Sequence, residues 1–178
     1  EGKRYEVFKA GVPRKTDGSM LFLQEFFENT DEKGKMGIIL NGSPLFTGSA
    51  GSGESEIRKY FIENDYVEAI IQVPTDLFIN TGISTYLWIL SKDKPEERKG
   101  KIQLIDASEY FERMKKGIGS KRNIINEEQR SMIAKLYRNF EEGDKSKIFT
   151  NEHFGYREVE IRRESDKKFK DKEIIPLS

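Results

Sequence analysis

The hydrophobic residues of the chain form helical faces and short continuous runs that alternate along the sequence. Residues 20–29 carry apolar side chains over a wide helical face, and residues 54–64 predict a second helix with Ile57, Tyr60 and Phe61 on its inner face. Four short apolar runs predict buried strands at residues 36–40, 66–73, 84–90 and 101–107. Strands that alternate with helices predict an α/β sheet with helices on its faces.

Polar residues at the helix starts predict N-terminal caps. Ser19 precedes the first helix, and Ser52 precedes the second at the end of a glycine-rich connection. Asn126 and Gln129 have the spacing of a capping box, so they predict a third helix that continues through Phe140.

The length of 178 residues predicts one domain with a substantial core. We divide it into an extended lead-in at residues 1–18, a main body at residues 19–142 and a C-terminal extension at residues 143–178. Residues 167–172 of this extension are very polar, and we expect them to be mobile.

The charges balance over the whole chain, with 31 basic and 31 acidic residues. A small DNA-binding protein that acts alone usually has an excess of basic residues, and this chain has none. The charges can still be segregated, because residues 92–101 and 113–122 are rich in lysine and arginine.

The chain has no cysteine, which excludes a disulfide framework and a thiolate metal site and suits a reducing compartment. No apolar run approaches the length of a membrane span, and no signal peptide precedes Glu1. We therefore expect a cytoplasmic location and no membrane partner. The chain starts without methionine, so we also expect it to be a piece of a longer protein.

Phe78 occupies the most informative position in the sequence. The strand at residues 66–73 ends at Pro74, and Phe78 follows in a short loop before the next strand. A ring that is only partly buried there can support a flat ligand such as a nucleic-acid base. The next three residues add hydrogen-bonding groups and a permissive backbone, which suits the lining of a pocket; they are Asn80, Thr81 and Gly82.

The alternative is that Leu77 and Phe78 both pack into the core. The sequence of the loop does not decide between a ligand-binding ring and a core ring.

Three other features invite a functional interpretation. Residues 48–53 resemble a phosphate-binding loop, but Glu54 stands where that loop needs lysine, so a flexible connection is favoured. The single histidine, His153, lies in a polar stretch and is interpreted as solvated. Asp106 ends a strand, where it either has a functional role or caps the next helix.

Several strings of residues are similar to the methylation subunit of type I restriction-modification systems, and they run in order across most of the chain. They lie at residues 17–23, 39–48, 51–55, 57–58, 63–65, 77–85, 100–107, 121–123 and 154–157. The resemblance implies an adenine-N6 DNA methyltransferase that uses S-adenosylmethionine and has a Rossmann-like seven-stranded sheet. The predicted strands at residues 36–40 and 66–73 would be its fifth and sixth strands. The strand at residues 84–90 would be the antiparallel seventh, inserted between them.

The chain departs from this family in two motifs. It contains neither the glycine-rich cofactor motif nor the Asn-Pro-Pro-Phe/Tyr tetrad that polarises the adenine amine. The resemblance therefore implies the second half of the catalytic domain, with no catalytic residue of its own and no activity alone. An Arg-Pro step that is usual in the family is also missing near Arg162 and Arg163.

The resemblance also assigns individual residues. Phe78 matches an aromatic residue that stacks on the extruded adenine, and Asn80, Thr81 and Gly82 would shape the same pocket. Leu21 and Phe22 match the helix that borders the adenine of the cofactor, although core packing explains these two residues nearly as well. The chain has no predicted metal ligand.

The partners that the resemblance implies are DNA, a specificity subunit and a restriction subunit. A separate sequence-reading subunit agrees with the balanced charge of this chain. If the first half of the sheet lies elsewhere, the exposed strand edge would favour self-association. Two other functions remain open at this stage: a non-catalytic module that docks a specificity or restriction subunit, and a nucleotide-binding regulator that uses residues 48–53.

Overall fold

The computed structural model describes residues 8–161 and 171–176. The helices are α1 (Ser19–Glu28), α2 (Ser43–Phe46), α3 (Gly53–Glu63) and α4 (Glu127–Asn139). The strands are β1 (Lys35–Asn41), β2 (Val67–Val73), β3 (Thr85–Ser91), β4 (Lys101–Asp106), β5 (Glu112–Ile118), β6 (Lys121–Ile124), β7 (Ser146–Thr150), β8 (Tyr156–Ile161) and β9 (Asp171–Pro176). Single 3₁₀ turns occupy Glu96–Arg98 and Asn151–Phe154.

A mixed five-stranded sheet with the order β1-β3-β2-β4-β7 forms the centre of the molecule. Strand β3 is antiparallel to both of its neighbours, and Leu87 pairs with Ile39 on one side and with Ile71 on the other. Strands β2 and β4 are parallel, and β7 closes the far side as an antiparallel strand. The predicted insertion of an antiparallel strand between two parallel ones is confirmed.

Helices α1 and α3 bury their apolar faces in one hydrophobic cluster. Phe27 of α1 meets Phe61 of α3 edge to face, with ring centroids 5.1 Å apart. The same cluster includes Leu23 and, from the sheet, Trp88 and Leu90. These residues match the apolar faces that the sequence predicted for both helices.

Helix α4 lies over a second cluster, made of residues from β2, β4 and the segments that follow them, and it has no fully buried residue of its own. Polar contacts supplement its packing. Gln103 of β4 donates to the carbonyl of Leu136 over 2.9 Å, and the Tyr137 hydroxyl donates to the buried carboxylate of Glu68. The Arg98 guanidinium lies 4.3 Å from the centre of the Tyr137 ring. The last turn of α4 is therefore fixed to the amino ends of β2 and β4.

Two of the three predicted caps are confirmed. The Ser52 side chain accepts a hydrogen bond from the Ser55 amide, and Asn126 and Gln129 form a complete capping box. The Ser19 cap is wrong, because α1 starts after Gly18 and its N-cap makes no side-chain hydrogen bond. The Ser19 hydroxyl instead donates to Oδ1 of Asp17 over 2.6 Å. The Ser19 amide also donates to this carboxylate, over 3.1 Å, so Asp17 contacts the start of α1 without acting as its N-cap.

The structure describes only part of the two ends of the chain. Residues 8–18 form turns and irregular backbone, while residues 1–7 of the predicted lead-in lie outside the described residues. Residues 167–170 of the segment expected to be mobile also lie outside them. The remaining two, at 171–172, start strand β9, which pairs with β8. Among the described residues, none of the helices has the length and apolarity needed to cross a membrane.

Asp65 joins three parts of the fold at the amino edge of the sheet. It has a φ of 59°. Its carboxylate accepts a hydrogen bond from the Lys94 ammonium over 2.6 Å, from the backbone amide of Gly100 over 2.9 Å and from the side-chain amide of Asn151 over 2.8 Å. The Lys94 side chain is only 1% exposed. Burial acts to raise the pKa of Asp65, but these hydrogen bonds outweigh it, and the pKa lies below its usual value.

Replacing Asp65 with alanine leaves the buried Lys94 ammonium without its carboxylate. We expect the free energy of unfolding to fall by about 3 kcal/mol, the low end for breaking a buried ion pair, because Asp65 itself is partly exposed. Adding Lys94→Met removes the unpaired charge and should recover part of this loss. Urea unfolding followed by Trp88 fluorescence measures both variants, and an unchanged midpoint for Asp65→Ala would contradict the assigned role.

The stability of the chain should also depend on pH through Asp65. A carboxyl group with a lowered pKa in the folded state stabilises the fold above the ordinary pKa of about 4. This stabilisation is lost as the pH falls through the lower, folded-state pKa. We expect the free energy of unfolding of Asp65→Asn to depend less on pH in this acidic range than that of the unchanged chain. Parallel pH dependences in the two proteins would show that Asp65 is not the titrating group.

Candidate functional site

The loop that carries Phe78 projects from the carboxyl end of β2. The pairing of β2 with β3 continues to Val73 and Thr85, so the intervening residues form a closed connection above the sheet. Asp76 has a φ of 57°, so the chain turns two residues after Pro74. Phe78 and Thr81 then face each other as an isolated antiparallel bridge, with Ile79 and Asn80 at the tip.

The two apolar residues of this loop have different environments. Leu77 packs against the cluster that contains Ile71 and Val73, as the core-packing interpretation predicted. Phe78 is half-buried and belongs to neither hydrophobic cluster of the described residues. The expectation of a partly buried ring is therefore confirmed for Phe78. Its role as a stacking surface stays a prediction.

The three polar or small residues after Phe78 lie in the same turn. Asn80 is exposed at the tip, and the Thr81 hydroxyl accepts a hydrogen bond from the Ile83 amide over 3.3 Å. Gly82 is not among the glycines with positive φ, so the expected need for a permissive backbone is wrong. A Cβ at this position would lie 2.5 Å from Oδ1 of Asp76. A side chain at position 82 would therefore require the Asp76 carboxylate to move.

A β-hairpin made of β5 and β6 holds the Phe78 loop from outside the sheet. The Ser120 amide donates to the Ile79 carbonyl over 2.7 Å. The amides of Arg122 and Asn123 both donate to the Asp76 carbonyl, over 2.9 Å and 3.1 Å. These backbone bonds fix the loop at its start and at its tip.

Asn123 and Gly119 make the hairpin fit the loop closely. The Asn123 side chain is buried and donates to the Thr75 carbonyl over 3.0 Å. Gly119 has a φ of 57°, and a Cβ there would lie 2.4 Å from the Ile79 carbonyl oxygen. Neither residue was predicted as a site residue from the sequence. Asn123 lies in the string at residues 121–123 that contributes to the family resemblance, whereas Gly119 lies outside it.

Leu21 and Phe22 lie in the first turn of α1, which starts at the same edge of the sheet. Asp17 fixes this start, because its carboxylate accepts from the Ser43 hydroxyl over 3.0 Å, two residues beyond the end of β1. Hydrogen bonds from Ser19 and Ser43 lower the pKa of Asp17 and outweigh its partial burial. Leu21 is half-buried, whereas the Phe22 ring is 60% exposed. Phe22 therefore points away from the core.

The structure gives the remaining candidates structural roles. His153 is exposed and stacks on Phe149, with ring centroids 4.5 Å apart. Asp106 does not cap a helix, because its carboxylate accepts from the amide and hydroxyl of Ser108 in a turn that leads to β5. Those hydrogen bonds lower its pKa.

The glycine-rich loop at residues 48–53 is a packed connection. The Arg58 guanidinium donates to the carbonyls of Pro44 and Thr47 beside it, over 3.1 Å and 2.6 Å. A Cβ on Gly53 would lie 1.9 Å from the Val12 carbonyl oxygen. The backbone at Gly53 thus fits against another chain segment, which favours the structural interpretation over a phosphate site.

A cavity with a volume of about 1240 Å³ lies between α3 and one face of the sheet. Its lining includes Trp88, Leu104 and Phe149, but none of the six predicted site residues. The part of the chain that the structure describes also has no group of three or more carboxylate or imidazole side chains that could hold a metal ion. The predicted site is thus an open edge formed by the Phe78 loop, with the start of α1 at the same end of the sheet.

Sequence comparison links this arrangement to a known family. The family model described as N-6 DNA Methylase matches residues 1–153. The chain is 36% identical over 141 residues to the type I restriction enzyme MjaIX methylase subunit of Methanocaldococcus jannaschii. It is 37% identical over 98 residues to the HindI methylase subunit of Haemophilus influenzae. These matches cover 79% and 54% of this chain, but only 24% and 21% of the two relatives.

Structure comparison supports the same assignment. The type I restriction-modification methyltransferase subunit of Streptococcus thermophilus superposes with a TM-score of 0.71 and 27% identity, covering 85% of this chain and 30% of that one. A modification subunit of a type I restriction enzyme from Vibrio vulnificus shares the fold, with a TM-score of 0.55 and 15% sequence identity. The superposition covers 74% of this chain and 27% of the Vibrio vulnificus chain. The predicted methyltransferase fold is confirmed, and the alternative of a non-catalytic docking module is not favoured. The chain belongs to the N-6 DNA methylase family, and it is similar to about a quarter of the length of the methylase subunits of type I restriction enzymes.

Proposed function

We propose that this chain forms the part of an adenine-N6 DNA methyltransferase that receives the target base. The whole protein would be the modification subunit of a type I system and would transfer a methyl group from S-adenosylmethionine to adenine in DNA. The observation that carries the proposal is the half-buried Phe78 ring, which lies outside both core clusters on a loop fixed at the carboxyl edge of the sheet.

The physical requirement behind this proposal is access to the base. The amino group of an adenine in a duplex cannot reach a cofactor, so an enzyme that modifies it must turn the base out of the helix. Extrusion removes the stacking energy between that base and its neighbours in the duplex. An aromatic side chain recovers about 1–3 kcal/mol by stacking on the extruded ring. Phe78 offers such a surface, and the hairpin contacts to Asp76 and Ile79 reduce the freedom that the loop would otherwise lose on binding.

Asn80 is the polar residue best placed to contact the edge of an extruded base. It is exposed at the tip of the turn, and its carboxamide makes no hydrogen bond to the described part of the chain. An asparagine amide carries both donors and an acceptor, which matches the N6 and N7 atoms of adenine. Thr81 and Gly82 would form the side of the turn that follows Asn80, where Thr81 bridges to Phe78.

Leu21 and Phe22 would form the wall against the cofactor. The cofactor supplies the methyl group, and its adenine ring needs an apolar surface to pack against. The 60% exposure of Phe22 fits this role better than core packing does. The group that polarises the amine of the target base is expected outside these 178 residues, together with the cofactor motif, so we expect this chain to be inactive alone.

The proposed partners are DNA, a specificity subunit and a restriction subunit. The balanced charge of the chain supports a division of labour in which another subunit reads the DNA sequence. Strand β1 has only β3 as a neighbour among the described strands, which leaves one edge for pairing with the preceding part of the protein or with a second copy.

Replacing Phe78 with alanine should weaken base extrusion. In the intact methyltransferase that contains this chain, we expect the extruded fraction to fall roughly 5- to 150-fold, equivalent to the missing stacking energy of about 1–3 kcal/mol. The measurement is the fluorescence of 2-aminopurine placed at the target adenine. Phe78→Tyr keeps the ring and should restore the signal.

Phe26→Ala is the control, because it removes an exposed aromatic ring from α1 without touching the loop. We expect extrusion and methylation by this variant to stay at the level of the unchanged enzyme. Normal 2-aminopurine fluorescence in Phe78→Ala, with DNA still bound, would contradict the assigned role of the ring.

Phe22→Ala should weaken cofactor binding by the intact enzyme. The ring would cover part of the cofactor's adenine, so its removal exposes apolar surface to water and should raise the dissociation constant roughly 10-fold, as for burial worth about 1.4 kcal/mol. Calorimetric titration with S-adenosylmethionine measures the change. Phe26, whose ring centroid lies 6.1 Å from that of Phe22, provides the matched control. Equal affinities of the two alanine variants would rule out a specific contact with Phe22.

A further inference from the structure

The hairpin of β5 and β6 concentrates positive charge in a chain whose charges otherwise balance. Residues 111–123 contain five basic residues and one acidic residue, against 31 of each in the whole chain. The basic residues are Arg113, Lys115, Lys116, Lys121 and Arg122. All five are exposed or half-buried, and none of them forms an ion pair with a carboxylate in the described part of the chain.

The acidic residues near the hairpin form no ion pair with its basic side chains in the described part of the chain. Glu112 accepts a hydrogen bond from the side chain of Asn126 at the start of α4. Asp106 and Glu109 both pair with Lys145. Even with the Glu112 carboxylate counted, basic residues outnumber acidic ones on the hairpin by four. The hairpin therefore keeps a surplus of positive charge that can meet a ligand.

The hairpin is also part of the same structural unit as the Phe78 loop. Its backbone donates three hydrogen bonds to that loop, from Ser120 to Ile79 and from Arg122 and Asn123 to Asp76. The buried Asn123 side chain adds a fourth, to Thr75. The position of the charged strands is thus fixed relative to the turn that carries the aromatic ring.

We propose that this hairpin binds the DNA phosphates next to the extruded nucleotide, a role that rests on the proposed function of the Phe78 loop. An extruded base remains linked through its deoxyribose to the two phosphates that flank the nucleotide. Those phosphates must therefore lie close to whichever residue holds the base. Lysine and arginine side chains on the neighbouring hairpin meet that requirement, and phosphate contacts set the position of a protein on DNA without reading its sequence.

This proposal also explains how a chain with no net charge can hold DNA. Binding to the phosphate backbone depends on the local density of basic residues and on counterion release. Five basic residues against one acidic residue on a short hairpin supply that density. The hairpin would hold the backbone of the opened duplex while Phe78 holds the base.

The test is the salt dependence of DNA binding by the intact methyltransferase that contains this chain. Its dissociation constant for a fluorescent duplex of arbitrary sequence is measured by anisotropy over a range of KCl concentrations. For Lys115→Ala/Lys116→Ala, we expect the slope of log K against log salt to decrease by about 0.9 for each phosphate that is no longer neutralised, or about 2 in total. These side chains are exposed, so we expect the variant to fold normally, and its thermal unfolding is measured as a check.

The control is Lys33→Ala/Lys135→Ala, which makes the same change in charge. Lys33 lies in the turn before β1, at the opposite edge of the sheet from the Phe78 loop, and Lys135 lies on α4. Both are exposed, so this variant should keep the slope of the unchanged enzyme.

The outcomes separate this proposal from the proposed function. A hairpin variant with an unchanged salt slope would overturn the phosphate-binding role, even if methylation proceeds normally. An unchanged slope together with weaker binding to another protein subunit would instead identify the hairpin as a protein-docking surface. If the slope falls as expected but the enzyme methylates no adenine, the phosphate-binding role stands and the proposed function is wrong.

Discussion

The antiparallel insertion of β3 between β1 and β2 is the constraint on which the rest of the structure depends. Parallel neighbours need a crossover connection, usually a helix, whereas antiparallel neighbours can be joined by a short loop. Because β3 returns beside β2, the chain between Val73 and Thr85 must stay at the carboxyl edge of the sheet. Phe78 is held there, with Leu77 anchored in the core and the hairpin of β5 and β6 bonded to the outside of the loop.

The residues that act locally could be predicted from the sequence. Short apolar runs predicted the four central strands with boundaries within one residue of those observed. The Asn126 and Gln129 pair predicted a capping box, because that motif depends only on residues three positions apart. Partial burial of Phe78 was also predicted, because Pro74 ends the strand and leaves the ring beyond it. The order of the three strands came from the resemblance to the methyltransferase family.

The features that depend on distant segments could not be predicted. Strands β5 and β6 are exposed along most of their length and lack an alternating apolar pattern. The two-residue connection Gly119-Ser120 is the hairpin signal between them, and without apolar strands on either side it was not recognised. The contact of Asn123 with Thr75 joins residues 48 positions apart. The Ser19 cap failed because Ser19 is already the first residue of α1, and its hydroxyl donates to Asp17 instead of accepting from a later helix amide. Gly82 does not have the positive φ that its sequence position suggested, and its part in a base pocket stays a prediction.

A structure of the intact methyltransferase bound to DNA tests the central claim most directly, namely that the loop between β2 and β3 presents Phe78 to a base outside the duplex. The account predicts the target adenine stacked face to face on the Phe78 ring, with its flanking phosphates within hydrogen-bonding distance of basic residues in β5 and β6. A target adenine that is extruded into a different part of the enzyme, with Phe78 contacting only protein, would contradict it.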